Sequence, residues 1–456
     1  MTQNAGAGSF SGRVAILFGS SILTAAIGVF NAFLFARLLG PEAKGDYYLL
    51  FLLPNTAAVL LQFGLPAALG FYAARGRTLR IVRRALTLAI SLSAAALVVL
   101  FAVLPALQGS LLRGLDPTLV VVTLAVIPVL LISTFTTSIV IALKSVRWYG
   151  AVIIGRSLMT TLLFVIVIGI LKFGVEGAIA IYIVISTMGM VGFVAGAIYA
   201  VRRVPVGSDV SYRELLRYGI PLYPGSLTSF FSLRADIFLL AALVPDPSAA
   251  IGYYSMAVTL AELATYLPSA VSSVFLPHIA GSVREDADRH VTTVARATIL
   301  LTGASALALA PAGTILILLL LPAFTPALPA FYVLLPAVVS LAMTRVVGEY
   351  VAGLGKTGLT SVSTVLGFAV NLGANVILIP RFGIVGAAAA SLISYSTSAL
   401  IITLIAARLA HAPLYRFWIP RTADARFIVA TAAVLARQVI AQRRARPDGS
   451  LDGPSV

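Results

Sequence analysis

Long apolar segments separated by short polar turns account for most of this chain. Twelve of them reach the length of about 20 residues that a helix needs to cross a bilayer. We number these segments spans 1 to 12 and predict them over residues 14–36, 47–72, 84–107, 118–143, 150–171, 177–200, 217–243, 251–276, 293–319, 329–353, 358–379 and 384–408. The connections are mostly short, so consecutive helices should run antiparallel. The pattern therefore predicts an all-α polytopic membrane protein with about twelve transmembrane helices.

The second half of the chain repeats motifs of the first half. Residues 172–178 read Lys-Phe-Gly-Val-Glu-Gly-Ala, and residues 381–387, which lie 209 positions later, read Arg-Phe-Gly-Ile-Val-Gly-Ala. Gly45-Asp46-Tyr47-Tyr48 likewise returns as Gly252-Tyr253-Tyr254. A period near 200 residues is too long for a solenoid repeat and is typical of transporters with two homologous lobes around a central path. The repeat predicts two six-helix lobes related by internal duplication.

These lobes predict four regions in the chain. The N-terminal lobe covers residues 1–200 and the C-terminal lobe covers residues 217–410. A linker at 201–216 joins them, and its mixture of arginines and leucines suits either a helix on the membrane surface or a solvated connection. Residues 411–456 form a basic cytoplasmic tail. Within that tail, residues 425–440 are too short for a comfortable crossing and are predicted to lie at the interface.

Composition excludes several classes of protein. The chain is 60% hydrophobic and 11% charged, whereas soluble domains carry about 25% charged residues. The net charge of +16 is spread over short loops between apolar segments, which argues against nucleic-acid binding. Cysteine is absent and no two of the three histidines have ligand spacing, so no metal or cofactor is predicted. A phosphate-binding glycine loop followed by Lys-Ser/Thr is also missing, and no catalytic residue is predicted.

Basic residues predict how the helices are oriented. The even-numbered loops between spans carry fifteen lysines and arginines, and the odd-numbered loops carry five. Because basic loops stay in the cytoplasm, both termini should be cytoplasmic and the protein should lie in the inner membrane of the cell.

Charged residues inside spans are costly in lipid and usually face a hydrated cavity or a partner. Arg234 in span 7 and Arg345 in span 10 are predicted to bind substrate. Asp236, Glu262 and Glu349 are predicted to bind a coupling ion. Arg234 and Asp236 are two positions apart and should point to opposite faces of their helix. Arg345 and Glu349 are four positions apart, so they can also form a purely structural pair.

Amide side chains give a weaker signal for the same cavity. Asn31, Gln62, Asn371 and Asn375 are candidate substrate contacts, although amides in membrane helices often only join one helix to another. Arg156, near the inner end of span 5, is expected to extend toward lipid headgroups.

One motif resembles a known family. Phe35-Ala36-Arg37-Leu38-Leu39-Gly40-Pro41-Glu42-Ala43-Lys44-Gly45-Asp46-Tyr47-Tyr48 is similar to the opening signature of bacterial polysaccharide-biosynthesis flippases. These belong to the superfamily of multidrug, oligosaccharidyl-lipid and polysaccharide exporters. Phe275-Leu276-Pro277-His278 and the Phe-Gly-x-x-Gly-Ala turns are also similar, and the resemblance covers residues 10–410. It implies a V-shaped pair of six-helix bundles with a basic cavity for pyrophosphate.

The resemblance implies a flippase that moves undecaprenyl-pyrophosphate-linked oligosaccharide across the inner membrane by alternating access. Its partners would be membrane lipids, the lipid-linked oligosaccharide and the polysaccharide polymerase and export machinery. A cation-coupled multidrug exporter of the same superfamily is the first alternative. A lipid II flippase is the second, although those proteins carry fourteen spans and this chain has twelve. The short outer loops disfavour a membrane polymerase or ligase.

Overall fold

A computed structural model describes residues 4–109, 112, 114–205, 207–266, 284–422 and 424, without the side chains of 4–25, 101, 107 and 284–290. The first half of the chain consists of α1 Asn4–Leu61, α2 Leu65–Ala74, α3 Ile81–Gln108, α4 Pro117–Leu124, α5 Ile127–Ala142, α6 Val146–Leu163 with a π-helical continuation Phe164–Ile170, and α7 Gly174–Arg202. The second half consists of α8 Tyr212–Gly219, α9 Tyr223–Leu243, α10 Pro247–Glu262, α11 Arg284–Leu320, α12 Leu328–Gly353, α13 Thr357–Leu409 and α14 Tyr415–Trp418. Short 3₁₀ turns lie at Ile220–Leu222, Leu263–Thr265 and Pro322–Ala327.

Two of these helices fold back on themselves. A straight helix of the 58 residues of α1 would extend about 87 Å, far beyond a hydrocarbon core of about 30 Å. The chain reverses at Gly40 (φ 77°, ψ 177°) in α1 and at Gly383 (φ 54°, ψ −128°) in α13. Both conformations belong to regions that glycine adopts readily. The loop expected at residues 37–46 is therefore wrong, because one glycine makes the whole turn.

The fold class predicted from the sequence is confirmed. In the described part of the chain, nine helical stretches are long and apolar enough to cross a membrane. The stretches that contain Gly40 and Gly383 each cross twice, which gives eleven crossings. The helix α10 supplies the first part of the twelfth crossing, and residues 267–283 of that span lie outside the described residues. The protein is thus a multi-pass membrane protein with twelve spans in two lobes.

Span 2 is interrupted, although the sequence predicted one continuous helix over 47–72. The break lies between α1 and α2, where Phe63 (φ 43°) and Gly64 (φ 69°) are left-handed. Pro66 stands in the first turn of α2, where proline is favoured because its missing N–H would have no partner within the helix. The Gly64 backbone also contacts Gly219 closely, since a Cβ on Gly64 would lie 2.1 Å from the Gly219 carbonyl oxygen. The break therefore brings the start of the second lobe against span 2.

Of the two predicted forms of the linker, a surface helix and a solvated connection, the described residues form a helix only at the end, from Tyr212. Helix α8 begins at Tyr212 because Ser211 accepts a hydrogen bond from the Glu214 amide and Glu214 accepts one from the Ser211 amide. This reciprocal cap fixes the start of a helix. Before it, Leu79 and Asp209 form a parallel β-bridge. The linker thus packs on the loop between spans 2 and 3.

The start of the tail folds back under the C-terminal lobe. Phe417 of α14 is fully buried in a cluster with Val291, Ala295, Val347 and Val351. The predicted interfacial segment 425–440 and the motif at 275–278 lie outside the described residues.

Candidate functional site

The two lobes meet where the repeated glycines cross. A Cβ on Gly45 would lie 1.8 Å from the Ser248 carbonyl oxygen, and a Cβ on Gly252 would lie 1.9 Å from the Pro41 carbonyl oxygen. Gly45 and Gly252 are 207 positions apart, and so are Pro41 and Ser248. The contact is therefore symmetric about the axis that relates the lobes. We call these four residues the lobe seal. No residue larger than glycine fits at either crossing point.

A lysine of the N-terminal lobe is buried within this contact. The Lys44 side chain is 5% exposed. Its Nζ donates a hydrogen bond of 2.8 Å to Ser255 Oγ and one of 3.5 Å to the Gly252 carbonyl oxygen. The face of the Phe324 ring lies 5.4 Å from Nζ. Lys44 thus links span 2 to both span 8 and the turn that precedes α12.

Tyr48 lies one helical turn beyond the lobe seal in the N-terminal lobe, and Arg234 of span 7 faces it. Its half-buried guanidinium faces the Tyr48 hydroxyl and the Glu262 carboxylate. Tyr48 belongs to the N-terminal lobe, whereas Arg234 and Glu262 belong to the C-terminal lobe. The guanidinium therefore sits between the lobes.

Asp236 points the other way, as its spacing from Arg234 predicted. It is 5% exposed and accepts hydrogen bonds from the Tyr254 hydroxyl and, at 3.5 Å, from Ser391 Oγ. The carboxylate joins spans 7, 8 and 12 inside the C-terminal lobe. Its predicted role in ion coupling would require an ion to enter this packed interior.

A cavity of about 380 Å³ opens between α9, α12 and α13. Arg345 and Glu349 line it and are both exposed, but they are not within ion-pair distance of each other. Tyr395 lines the same cavity and also faces Arg234, so the two regions are neighbours. Eight hydroxyl side chains complete the lining: Ser229, Ser232, Thr344, Thr360, Ser363, Thr364, Ser394 and Ser398. Such a lining suits the hydroxyl groups of a sugar.

The amides predicted as substrate contacts lie at three separate places. Asn31 accepts a 2.7 Å hydrogen bond from Thr161 Oγ1, which joins spans 1 and 5 of the N-terminal lobe. Gln62 is half-buried at the break of span 2. Asn375 Nδ2 donates a 3.0 Å hydrogen bond to Asn371 Oδ1, and both residues are fully buried in span 11. The structure therefore brings Arg345 and Glu349 to one cavity and Arg234 and Glu262 to one contact, with the amides apart.

Sequence reasoning missed Tyr48 as a partner of Arg234 and misplaced Arg156. The Arg156 side chain packs inside the N-terminal lobe, where a Cβ on Gly189 would lie 2.8 Å from its Nε. Its guanidinium faces Tyr149 and Tyr182. Its expected position at lipid headgroups is wrong, because the missing side chain of Gly189 makes room for it beside α7.

Ion pairs hold the linker to the loop between spans 2 and 3. Arg77 contacts Glu214 at 2.6 Å and Arg84 contacts Asp209 at 2.6 Å. We call these four residues the linker clasp. Hydrogen bonds from Arg77 and from the Ser211 amide and hydroxyl lower the pKa of the Glu214 carboxyl to about 2, so this pair stays charged at physiological pH.

Across the described ranges, no group of three or more His, Asp or Glu side chains has the arrangement of a metal site.

Comparison with known proteins gives one family and several related folds. Residues 34–328 match the sequence profile of a family described as polysaccharide biosynthesis protein. No curated protein matches the chain at a significant level.

Solved structures of transporters share the fold. An inward-facing conformation of a multidrug resistance MATE family transporter of the MOP superfamily is 17% identical, with a TM-score of 0.62 over 87% of this chain and 96% of that chain. Lipid II flippase MurJ in an inward closed conformation is 14% identical, with a TM-score of 0.64 over 95% of this chain and 94% of that chain. A Vibrio cholerae MATE transporter is 17% identical, with a TM-score of 0.57 over 90% of this chain and 99% of that chain. The TM-scores show a common fold, whereas identities this low do not identify the transported substrate.

Proposed function

We propose that this chain, which belongs to the polysaccharide biosynthesis protein family, is a flippase for undecaprenyl-pyrophosphate-linked oligosaccharide. Sugars and pyrophosphate do not cross hydrocarbon unaided, since each unpaired polar group costs several kcal/mol there. A flippase removes this barrier with a hydrated path between two lobes that open alternately to either side. The observation that supports the proposal best is the half-buried guanidinium of Arg234 at the junction of the lobes.

Arg234 is proposed to bind the pyrophosphate through charge-assisted hydrogen bonds, which are about twice as strong as neutral ones. To do so it exchanges the Tyr48 hydroxyl for a phosphate oxygen. That exchange removes a contact between the lobes one helical turn from the lobe seal. Headgroup binding and the separation of the lobes would therefore be coupled through one side chain.

The cavity between α9, α12 and α13 is proposed to take the sugars. Its hydroxyl lining offers both donors and acceptors, and Arg345 adds a second cation for the diphosphate. The polyprenyl tail stays in lipid. Glu262 and Glu349 are reachable carboxylates, and they, together with the buried Asp236, are the proposed sites for a coupling proton or sodium ion.

The basic loops support an inner-membrane location with both termini in the cytoplasm. In that orientation the lobe seal lies at the outer side and the linker clasp at the cytoplasmic side. The headgroup enters from the cytoplasm, and release outside requires the seal to open. A polysaccharide polymerase or export complex is the proposed acceptor of the flipped substrate.

The test is flipping of a fluorescent undecaprenyl-pyrophosphate oligosaccharide in proteoliposomes. Arg234→Ala should lower the rate by about 10- to 100-fold, because a hydrogen bond to a charged group is worth about 1.5–3 kcal/mol. Arg408→Ala is the matched control, since this exposed arginine lies at the end of α13. Equal rates for Arg234→Ala and wild type would remove Arg234 from the mechanism. Deletion of the gene should abolish surface polysaccharide while the lipid-linked precursor accumulates inside the cell.

A cation-coupled multidrug exporter is the second candidate. It is favoured by the half-buried Glu262 beside Arg234 and by the exposed Glu349 in the cavity, because accessible carboxylates attract organic cations. The same proteoliposomes distinguish the two activities. Export of a cationic dye without movement of the oligosaccharide lipid would support the exporter.

A further inference from the structure

We propose that Lys44 is a proton-operated latch: the lobe seal opens when Lys44 is protonated, so acid on the outer side favours the open seal. The proposal rests on the alternating access of the proposed function, and it adds the event that releases the seal.

The bonding of Lys44 in the closed seal suits an uncharged amine. A neutral amine has two N–H donors and an ammonium has three. The structure offers two acceptors, Ser255 Oγ and the Gly252 carbonyl oxygen. The Ser255 hydroxyl proton is itself donated to the Gly252 oxygen at 2.9 Å, which leaves lone pairs of Ser255 free to accept from Lys44. A third donor would point at the face of the Phe324 ring, which attracts a cation but stabilises it less than a carboxylate would.

No anion compensates a charge at this position. Among the described residues, no carboxylate lies within ion-pair distance of Lys44 Nζ. The turn Pro322–Ala327, which packs on Lys44 through Phe324, contains no titratable residue. Burying an ammonium without a counter-ion penalises its charged form. The closed seal therefore favours loss of the proton.

Acidic residues surround the rim of the seal instead. Asp46 faces Ser248 and Asp246 of the opposite lobe and Glu42 of its own turn. On α10 the remaining titratable side chains are Tyr253, Tyr254 and Glu262. When the lobes separate, Lys44 enters water beside the rim carboxylates, and these stabilise its charged form. The open seal therefore favours uptake of the proton.

Linkage gives the direction of the pH effect. A hydrated lysine has a pKa of about 10.4, so below that pH the open seal holds a proton that the closed seal disfavours. Lowering the pH then multiplies the ratio of open to closed seals by up to about tenfold per pH unit. Ordinary carboxylates titrate near pH 4 and tyrosines near pH 10, and burial together with the nearby Glu42 and Asp246 raises the pKa of Asp46 above the ordinary value. Measurements between pH 6.5 and 9.5 separate Lys44 from both.

The absence of cysteine allows a clean distance measurement. Phe173 and Phe382 occupy equivalent positions in the two repeated turns and are 56% and 60% exposed. Spin labels on Phe173→Cys and Phe382→Cys, read by double electron–electron resonance in liposomes, report the separation of the lobes. The wild-type chain should shift to the longer distance as the pH falls from 9.5 to 6.5, with at least a tenfold change in the open-to-closed ratio.

Three variants decide the question. Lys44→Met should keep the short distance at both pH values, and Lys44→Arg, which stays charged, should keep the long distance at both. Lys356→Met is the control, because this exposed lysine lies far from the seal, and it should respond like wild type. If Lys44→Met fails to fold, Lys44→Gln and Lys44→Arg carry the test.

A wild-type distance that does not change with pH, or an unchanged pH response in Lys44→Met, would overturn the latch. The measurement needs no substrate, so it is independent of the flipping assay. If the distance between the labels depends on pH and on the residue at position 44 as described, but the protein flips no oligosaccharide lipid, the proposed substrate is refuted and the latch is retained.

Discussion

Replacing Gly252 with alanine places a methyl carbon 1.9 Å from the Pro41 carbonyl oxygen. The shortest ordinary contact between carbon and a carbonyl oxygen is about 3.3 Å, so the two helices must move apart by more than 1 Å. The Pro41 carbonyl is backbone and cannot rotate away as a side chain would. We therefore expect Gly252→Ala to destabilise the closed lobe seal and to leave the open seal unaffected.

The magnitude follows from the cost of overpacking. Inserting one extra carbon into a packed contact costs about 1–3 kcal/mol. The better helix propensity of alanine, worth about 0.5–1 kcal/mol, is present in the open and closed states alike and cancels. The ratio of open to closed seals should therefore rise about 5- to 150-fold, because 1.4 kcal/mol corresponds to a factor of ten. Gly45→Ala should give a similar change, since its Cβ would lie 1.8 Å from the Ser248 carbonyl oxygen.

The assay is the label pair at Phe173 and Phe382. Gly252→Ala and Gly45→Ala should populate the longer distance at a pH where wild type shows the short one. Gly373→Ala is the control, because a Cβ there would have no atom within 4 Å. If both seal variants fold and still show only the short distance, the glycine crossing does not close the path and the reasoning fails.

Two further predictions concern the contacts of the tail and of the linker. Asp424→Asn should lower stability in a thermal unfolding assay by about 3 kcal/mol, because it removes the negative charge that pairs with the buried Arg296 guanidinium at 2.7 Å. Burial raises the pKa of Asp424, but hydrogen bonds from Arg296 and the Arg421 amide outweigh it and hold the pKa below its ordinary value. The wild-type contribution should therefore be complete above pH 4 and decline as the pH falls further, and a stability profile that stays flat down to pH 2 would contradict this. Glu214→Arg should expose the linker to limited proteolysis by breaking its pair with Arg77, whereas the double exchange with Arg77→Glu should restore protection.

Hydropathy and the repeat were enough to predict the twelve spans and their two lobes. They did not predict the reversals, because Pro41 to Asp46 has the polar composition of a loop while the structure turns at Gly40 alone. The interruption of span 2 was missed for a related reason. Apart from Gln62 its residues remain apolar through the break, and the contact with Gly219 explains why Gly64 leaves the helix.

The sequence indicated candidate residues for the site but did not indicate which residues they contact. A charge in the middle of span 7 indicated that Arg234 faces something other than lipid, but Tyr48 comes from the other lobe and no local pattern relates the two. The four-residue spacing of Arg345 and Glu349 indicated a pair, whereas both side chains turn to a cavity that other helices create. Spacing determines which face of a helix a residue occupies, and packing between helices determines what meets that face.

One face of span 2 connects the seal to the proposed headgroup site. Lys44 and Tyr48 are four positions apart, so they lie on the same side of the helix. Lys44 bonds the opposite lobe at the seal and Tyr48 meets Arg234 one turn away. A diphosphate that draws Arg234 away from Tyr48 weakens the closed state. Because coupling between two sites is reciprocal, opening the seal strengthens diphosphate binding by the same free energy. A variant that opens the seal, such as Gly252→Ala, should therefore bind the headgroup more tightly. It should also flip the substrate more slowly, because overpacking opposes the return to the closed state.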